Sequence, residues 1–173
     1  MANFSDVAKS AWTTDDGKTT FCVPMASVIH GFIYNKDIFK ELGIEEPKTE
    51  EEFFAVLEKI KANGTYVPLV LGTNDQWEAA TMGFQNIGPN YWKGEEGRKA
   101  LIDGTGKLTD PAYVSTFATL AKWSPYMGEG FKAQTYPDSQ NLFGLGKGAI
   151  YAAGSWDIST FRGQNVNMGA FKP

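Results

Sequence analysis

Cysteine is almost missing from this sequence. Cys22 is the single one among 173 residues, which excludes an internal disulfide and argues against a cysteine-based metal site. Histidine is as scarce. His30 stands alone, whereas a catalytic zinc needs several His or Cys ligands in a cluster, so no metal site is expected. Positive charge is outnumbered, with 16 Lys and Arg against 20 Asp and Glu and a formal net charge of -4. Nucleic-acid and anionic-membrane surfaces need clustered Lys and Arg, so no nucleic-acid partner is expected. No run approaches the roughly 18 apolar residues of a membrane span. No charged-then-apolar leader opens the chain, so no signal peptide is expected within it. Nothing announces a bound cofactor, and none is expected.

What the sequence has is aromatic side chains. They make up 14% of it, with 5 Trp, 7 Tyr and 12 Phe. Trp12, Trp77, Trp92, Trp123 and Trp156 are spread along the chain. Trp and Tyr combine flat apolar faces with a polar edge, which suits core packing and amphipathic ligands such as sugars alike.

Local signals alternate between strand and helix, the order of an α/β layer structure. Residues 3–12 read as an amphipathic helix, with Phe4, Val7, Ala8 and Ala11 on one side. Residues 13–18 are a turn-rich loop. Residues 19–23 and 28–34 read as strands. Asn35 caps a helix over 36–42, ended by Gly43. Thr49 and Glu52 form a capping box before Phe53, Val56, Leu57 and Ile60, and Asn63-Gly64 closes that helix. Residues 67–71 are a short apolar strand. Asn74 or Asp75 is expected to cap a helix reaching about Gln85, and a weaker helix covers 95–102. Asp110-Pro111 starts a helix whose expected apolar face is Val114, Phe117, Ala118 and Ala121. A helix over 138–145, a strand over 149–152, a short helix to Arg162 and a strand over 168–171 complete the reading.

Four segments in order resemble the carbohydrate-type extracellular solute-binding proteins of ABC importers. Phe21-Cys22-Val23-Pro24 followed by Gly31-Phe32-Ile33-Tyr34-Asn35-Lys36-Asp37-Ile38-Phe39-Lys40-Glu41-Leu42-Gly43 is similar to the family's lP…g..YNKd.F...G segment. Pro47-Lys48-Thr49-Glu50-Glu51-Glu52-Phe53 resembles its PkTwdEf helix start. Phe143 to Tyr151 followed by Gly154-Ser155-Trp156-Asp157 resembles F..GkaAm...GsWd, and residues 168–173 look like a returning hinge strand. Glu50 stands where Trp is common and Lys172 where Pro is common. The resemblance implies one lobe of a periplasmic-binding-protein-like type II fold, a small mixed sheet flanked by helices. It implies that residues 1–173 form that single lobe, with hinge-proximal segments near 21–31 and 168–173. The chain is expected to be a piece that begins near one hinge crossing and stops at the next. The implied partners are a carbohydrate ligand, a second lobe and the membrane permease of the transporter. The implied location is periplasmic, or extracellular and membrane-anchored, in the parent protein.

Candidate ligand-binding residues cluster after two apolar strands, where ligands of open α/β sheets gather. After the first come Asp75, Gln76 and Trp77, with Asn74 beside them. These supply mixed donors and acceptors for hydroxyls and a face for stacking. After the second come Gly154, Ser155, Trp156 and Asp157, where glycine lets a backbone approach a ligand closely. The bland alternatives are helix capping by Asn74, Asp75 or Asp157 and burial of the tryptophans. His30, beside the expected hinge, is a candidate against the commoner role of a lone structural histidine. Tyr136 and Asp138 in an expected loop, and Trp92 as a loop anchor, are weaker candidates.

Two other functions compete with this reading. A glycoside hydrolase needs two carboxylates at a defined separation, and most acidic residues here read as solvated helix faces or caps. Gly154-Ser155-Trp156-Asp157 also lacks the second glycine of a nucleophile elbow. No catalytic residue is therefore expected. A protein-interaction module is the second alternative: a lone lobe would expose its cleft-facing aromatics and could self-associate.

Overall fold

The structure, a computed structural model, describes residues 4–173. Its centre is a four-stranded mixed sheet. In chain order the strands are β1 (His30–Asn35), β2 (Val67–Val70), β3 (Gly148–Gly154) and β4 (Met168–Phe171). In space they run β2-β3-β1-β4. β3 is parallel to β2 and antiparallel to β1, and β1 is antiparallel to β4.

Helices cover both faces, as a sheet with every residue of β3 buried requires. The helices are α1 (Asp6–Ala11), α2 (Lys36–Leu42), α3 (Glu50–Asn63), α4 (Gln85–Trp92), α5 (Glu95–Asp103), α6 (Pro111–Trp123), α7 (Tyr136–Gly144) and α8 (Asp157–Gly163). The period of two along the strands divides the core. Phe32 and its register partners Ala152 and Phe171 share one face, where Phe32 meets Phe53 of α3 and Trp123 of α6. Tyr151 and its partners Ile33 and Val70 share the other, where Tyr151 meets Phe143 of α7 and Phe161 of α8. The fold class expected from the sequence is the one observed.

Several local expectations need correction. Residues 19–23 form no strand: Thr20 makes one isolated bridge with Thr13, and Phe21, Val23 and Met25 are exposed because no neighbouring strand pairs with them. Residue 3 of the expected first helix lies outside the described residues, and α1 buries no side chain. Glu52 does reach back from α3, but to the amide of Lys48 at 2.7 Å, while Thr49 Oγ1 takes the amide of Glu52. Val114, Phe117, Ala118 and Ala121 of α6 face outward. The buried face is Tyr113, Thr116, Thr119 and Trp123. The two threonines satisfy their hydroxyls, Thr116 on the Ala112 carbonyl and Thr119 on Glu50, which leaves the larger rings free to fill the core.

Trp92 is no loop anchor. It ends α4, continuous with a π-helical turn over Ala79–Phe84. A Cβ on Gly88 would lie 1.9 Å from its ring, so Gly88 gives room to the indole one turn later. Stacking on Tyr113 and contact with Phe84 make Trp92 a packing residue.

Candidate functional site

The parallel pairing of β2 and β3 brings their carboxyl ends to one edge of the sheet. Antiparallel β1 brings His30, its first residue, opposite Gly154, the last of β3. The segments after β2 and β3 and the start of β1 therefore meet, although 120 residues and more separate His30 from Trp156.

Here four rings form a continuous row. Trp77 packs edge-on against Tyr136, with centroids 4.8 Å apart. The Trp156 indole N–H donates to the Tyr136 hydroxyl at 2.9 Å. His30 packs edge-on against Trp156 at 5.5 Å. Trp77 is 40% exposed, and the other three rings are half-buried. Tyr136 stands in the first turn of α7 and not in a loop. Asp138 closes the capping box of that helix with Thr135, which turns its carboxylate to local work. Gly154 is buried beneath the indole: a Cβ there would lie 2.2 Å from the Trp156 ring.

Backbone and polar contacts lock these segments. Asn74 N–H donates to the Gln134 carbonyl at 3.2 Å and Thr73 N–H to that of Phe131 at 3.0 Å. Neither Asn74 nor Asp75 caps the following helix; Asp75 Oδ2 accepts the Tyr136 amide at 2.7 Å instead. Gln76 is exposed and held at φ 58°, a left-handed conformation uncommon outside glycine and strained for a long side chain. Ser155 is tied to Ile29, whose amide donates to the serine Oγ at 3.2 Å while the Ser155 N–H donates to the Ile29 carbonyl at 2.9 Å.

Asp157 is fully buried, so it lies beneath the row and not on its surface. Its Oδ1 accepts the Tyr136 hydroxyl and the Gln140 amide, the latter at 2.8 Å. Glu78 is also fully buried. Its Oε1 accepts the Gly72 N–H at 3.2 Å, while its Oε2, like Asp157 Oδ2 and the Tyr151 hydroxyl, has no partner. Burial pushes the Glu78 carboxyl up to about 7, with small contributions from the charges of Asp75 and Asp157. Burial also raises Asp157, against the pull of Tyr136 and Gln140. It raises Tyr136, which the Asp157 carboxylate lifts further, and it lowers His30. Neither Glu78 nor the role of Tyr136 as hub was legible in the sequence. The signal for both is a burial that only the fold assigns.

The row is an open surface. His30, Gly154 and Ser155 also line a shallow cavity of about 270 Å³ with Ile29, Ile158 and Phe171. A larger cavity, about 730 Å³, is floored by Phe32, Phe53, Trp123 and Phe171 and includes none of the candidate residues. Among the described residues, no group of three His, Cys, Asp or Glu is placed to hold a metal ion, and no helix is long and apolar enough to cross a membrane.

The α/β layer thus carries an aromatic row at the carboxyl ends of its parallel strands, the place where ligands of open α/β sheets gather. The family model of bacterial extracellular solute-binding proteins matches residues 1–173, and the chain belongs to that family. It is 30% identical over 148 residues to an ABC transporter extracellular-binding protein of Pyrococcus horikoshii, covering 79% of this chain and 32% of that protein. It is 29% identical over 141 residues to a Mesorhizobium japonicum protein named "Probable sugar-binding periplasmic protein", covering 78% and 32%. Among solved structures it is similar to a chitin oligosaccharide binding protein, with a TM-score of 0.82 and 27% identity over 95% of this chain and 42% of that one. The chain thus spans about a third of the length of the curated relatives it matches.

Proposed function

We propose that the protein containing this chain is the sugar- or oligosaccharide-binding component of an ABC importer, working outside the cytoplasm, and that residues 1–173 form one lobe of it. The observation that carries the reading is the row Trp77–Tyr136–Trp156–His30, assembled from four separate segments where the parallel strands end. Tryptophan combines a flat apolar face, which can stack on the apolar face of a sugar ring, with a polar edge that can hydrogen-bond. Asp75, Gln76 and Ser155 take hydroxyls at the margins of the row, while Gly154, buried beneath the indole, gives the ring its room. A second lobe closes over it about hinge segments near 21–31 and 168–173, and the closed form is what the permease recognises. The binding role needs no chemical step, and the protein is not an enzyme in this reading.

The test is calorimetric titration of the full-length protein with galactose, raffinose, chitotriose and a set of amino acids. Saturable binding of a sugar that Trp156→Ala weakens at least tenfold supports the proposal. Silence to every sugar with binding of an amino acid removes it.

A second reading concerns the chain by itself. Phe21, Val23, Met25, Val28 and Ile29 are all more than half exposed, a run of apolar surface that favours association with a second copy. Sedimentation at several concentrations tests this, and a strict monomer ends it.

A further inference from the structure

We propose that Asp157 is a positioning residue which, acting through the Tyr136 hydroxyl, fixes the indole of Trp156 in the ligand-facing row without touching ligand itself. This rests on the sugar-binding reading of the row. The direction of the relay is forced by proton inventory. An indole N–H can only donate, so at 2.9 Å the Tyr136 oxygen accepts from Trp156. The phenol has one proton of its own, and the acceptor in reach is Asp157 Oδ1. The order is therefore Trp156 to Tyr136 to Asp157, and Gln140 holds the far end by donating to the same carboxylate oxygen.

Other contacts confine the indole further. Gly154 lies under the ring, leaving no room even for a methyl group, and His30 meets it edge-on. The Tyr136 ring also packs on Trp77, and its amide is held by Asp75. Tyr136 thus touches both tryptophans, Trp156 through its hydroxyl and Trp77 through its ring. Asp157 is fully buried, so it touches no ligand, and it reaches the row through the Tyr136 hydroxyl.

The experiment uses the full-length protein with Asp157→Asn, Tyr136→Phe and the double variant. It reads two quantities: affinity for the tightest binder among galactose, raffinose and chitotriose, and the NMR resonance of the Trp156 indole N–H, assigned with Trp156→Phe. Tyr136→Phe keeps the ring and is the variant that folds if a substitution at the buried Asp157 does not. The expected result is an affinity loss of about two- to tenfold in each single variant, the size of one hydrogen bond. The double variant should lose no more than the worse single, because both act in one relay. The indole resonance should move upfield in both singles without any sugar present. Unchanged affinity and an unmoved resonance in folded variants would overturn the proposal. If the wild type binds none of the three sugars, the functional reading falls for that panel, and the indole resonance alone decides the relay.

Discussion

At Glu78 the chain places a carboxyl group inside an α/β core, and among the described residues no cation acts on it. Its neighbours are the Gly72 amide, Ser139, Asp75 and Asp157. Its ordinary value of 4.5 rises to about 7, so between those limits the folded state holds a proton that the unfolded state has released. Stability from this group is fully present below pH 4.5 and is lost as pH rises through 7. Asp157, raised in the same direction, adds to the loss. Glu78→Gln should leave stability near pH 4.5 almost unchanged and raise it at pH 8 by on the order of 1–3 kcal/mol, flattening the profile seen in urea titrations. Gly154→Ala is the complementary test. Its Cβ would meet the Trp156 ring at 2.2 Å, so the indole must move. A cost of about 1–3 kcal/mol and a changed near-ultraviolet dichroism of tryptophan are expected. Trp77, Trp156, Gly154 and His30 were legible as candidates because residue type and place after a strand point to ligands. Asp157 was a candidate by its place after a strand, but its burial, and that of Glu78, was not legible, since a carboxylate is ordinarily exposed and burial leaves no mark on composition.

At the scale of elements, what could be read was what local chemistry decides. Asn35 accepts the amides of Asp37 and Ile38, and Gly43 adopts φ 59° to end α2. Thr49 and Gly64 do the same for α3. Caps involve neighbours in sequence, so sequence shows them. Thr49→Ala should therefore lower stability by about 1 kcal/mol in urea titration. The orientation of α6 was misread because it depends on tertiary partners. Thr116 and Thr119 look solvent-facing until Ala112 and Glu50 supply acceptors, and Val114 and Phe117 look like core until Trp123 takes that place. Val114→Ser should cost less than about 0.5 kcal/mol, as surface changes do, whereas Trp123→Ala should cost about 3–5 kcal/mol. Equal costs would restore the face expected from hydropathy. The glycine at 88 was hidden for a related reason: it gives room to the Trp92 ring a full turn away.

For the whole molecule, the contrast is between a sheet whose central strands are covered on both faces and a segment that nothing covers. β1 and β3 are hydrogen-bonded on both sides, and Ile150 to Ala152 are fully buried. Among the described residues, the amides of residues 22, 23 and 25–28 find no backbone acceptor (Pro24 has no N–H to offer), and Met25 is 99% exposed. Residues 19–23, stopped at Pro24, read as a strand, and a local pattern cannot tell a strand with a partner from one without. If this segment is hinge-proximal, a second lobe supplies the missing cover. Hydrogen exchange can decide that by comparing this chain with the full-length protein. In the chain alone, the amides of Ile150 to Ala152 should exchange only through global unfolding, and those of residues 22–28 at nearly the free-peptide rate. In the full-length protein the sheet should be unchanged while residues 22–28 slow by at least tenfold. Equal rates for residues 22–28 in both would mean that no second lobe rests on them, and the hinge would have to be sought elsewhere.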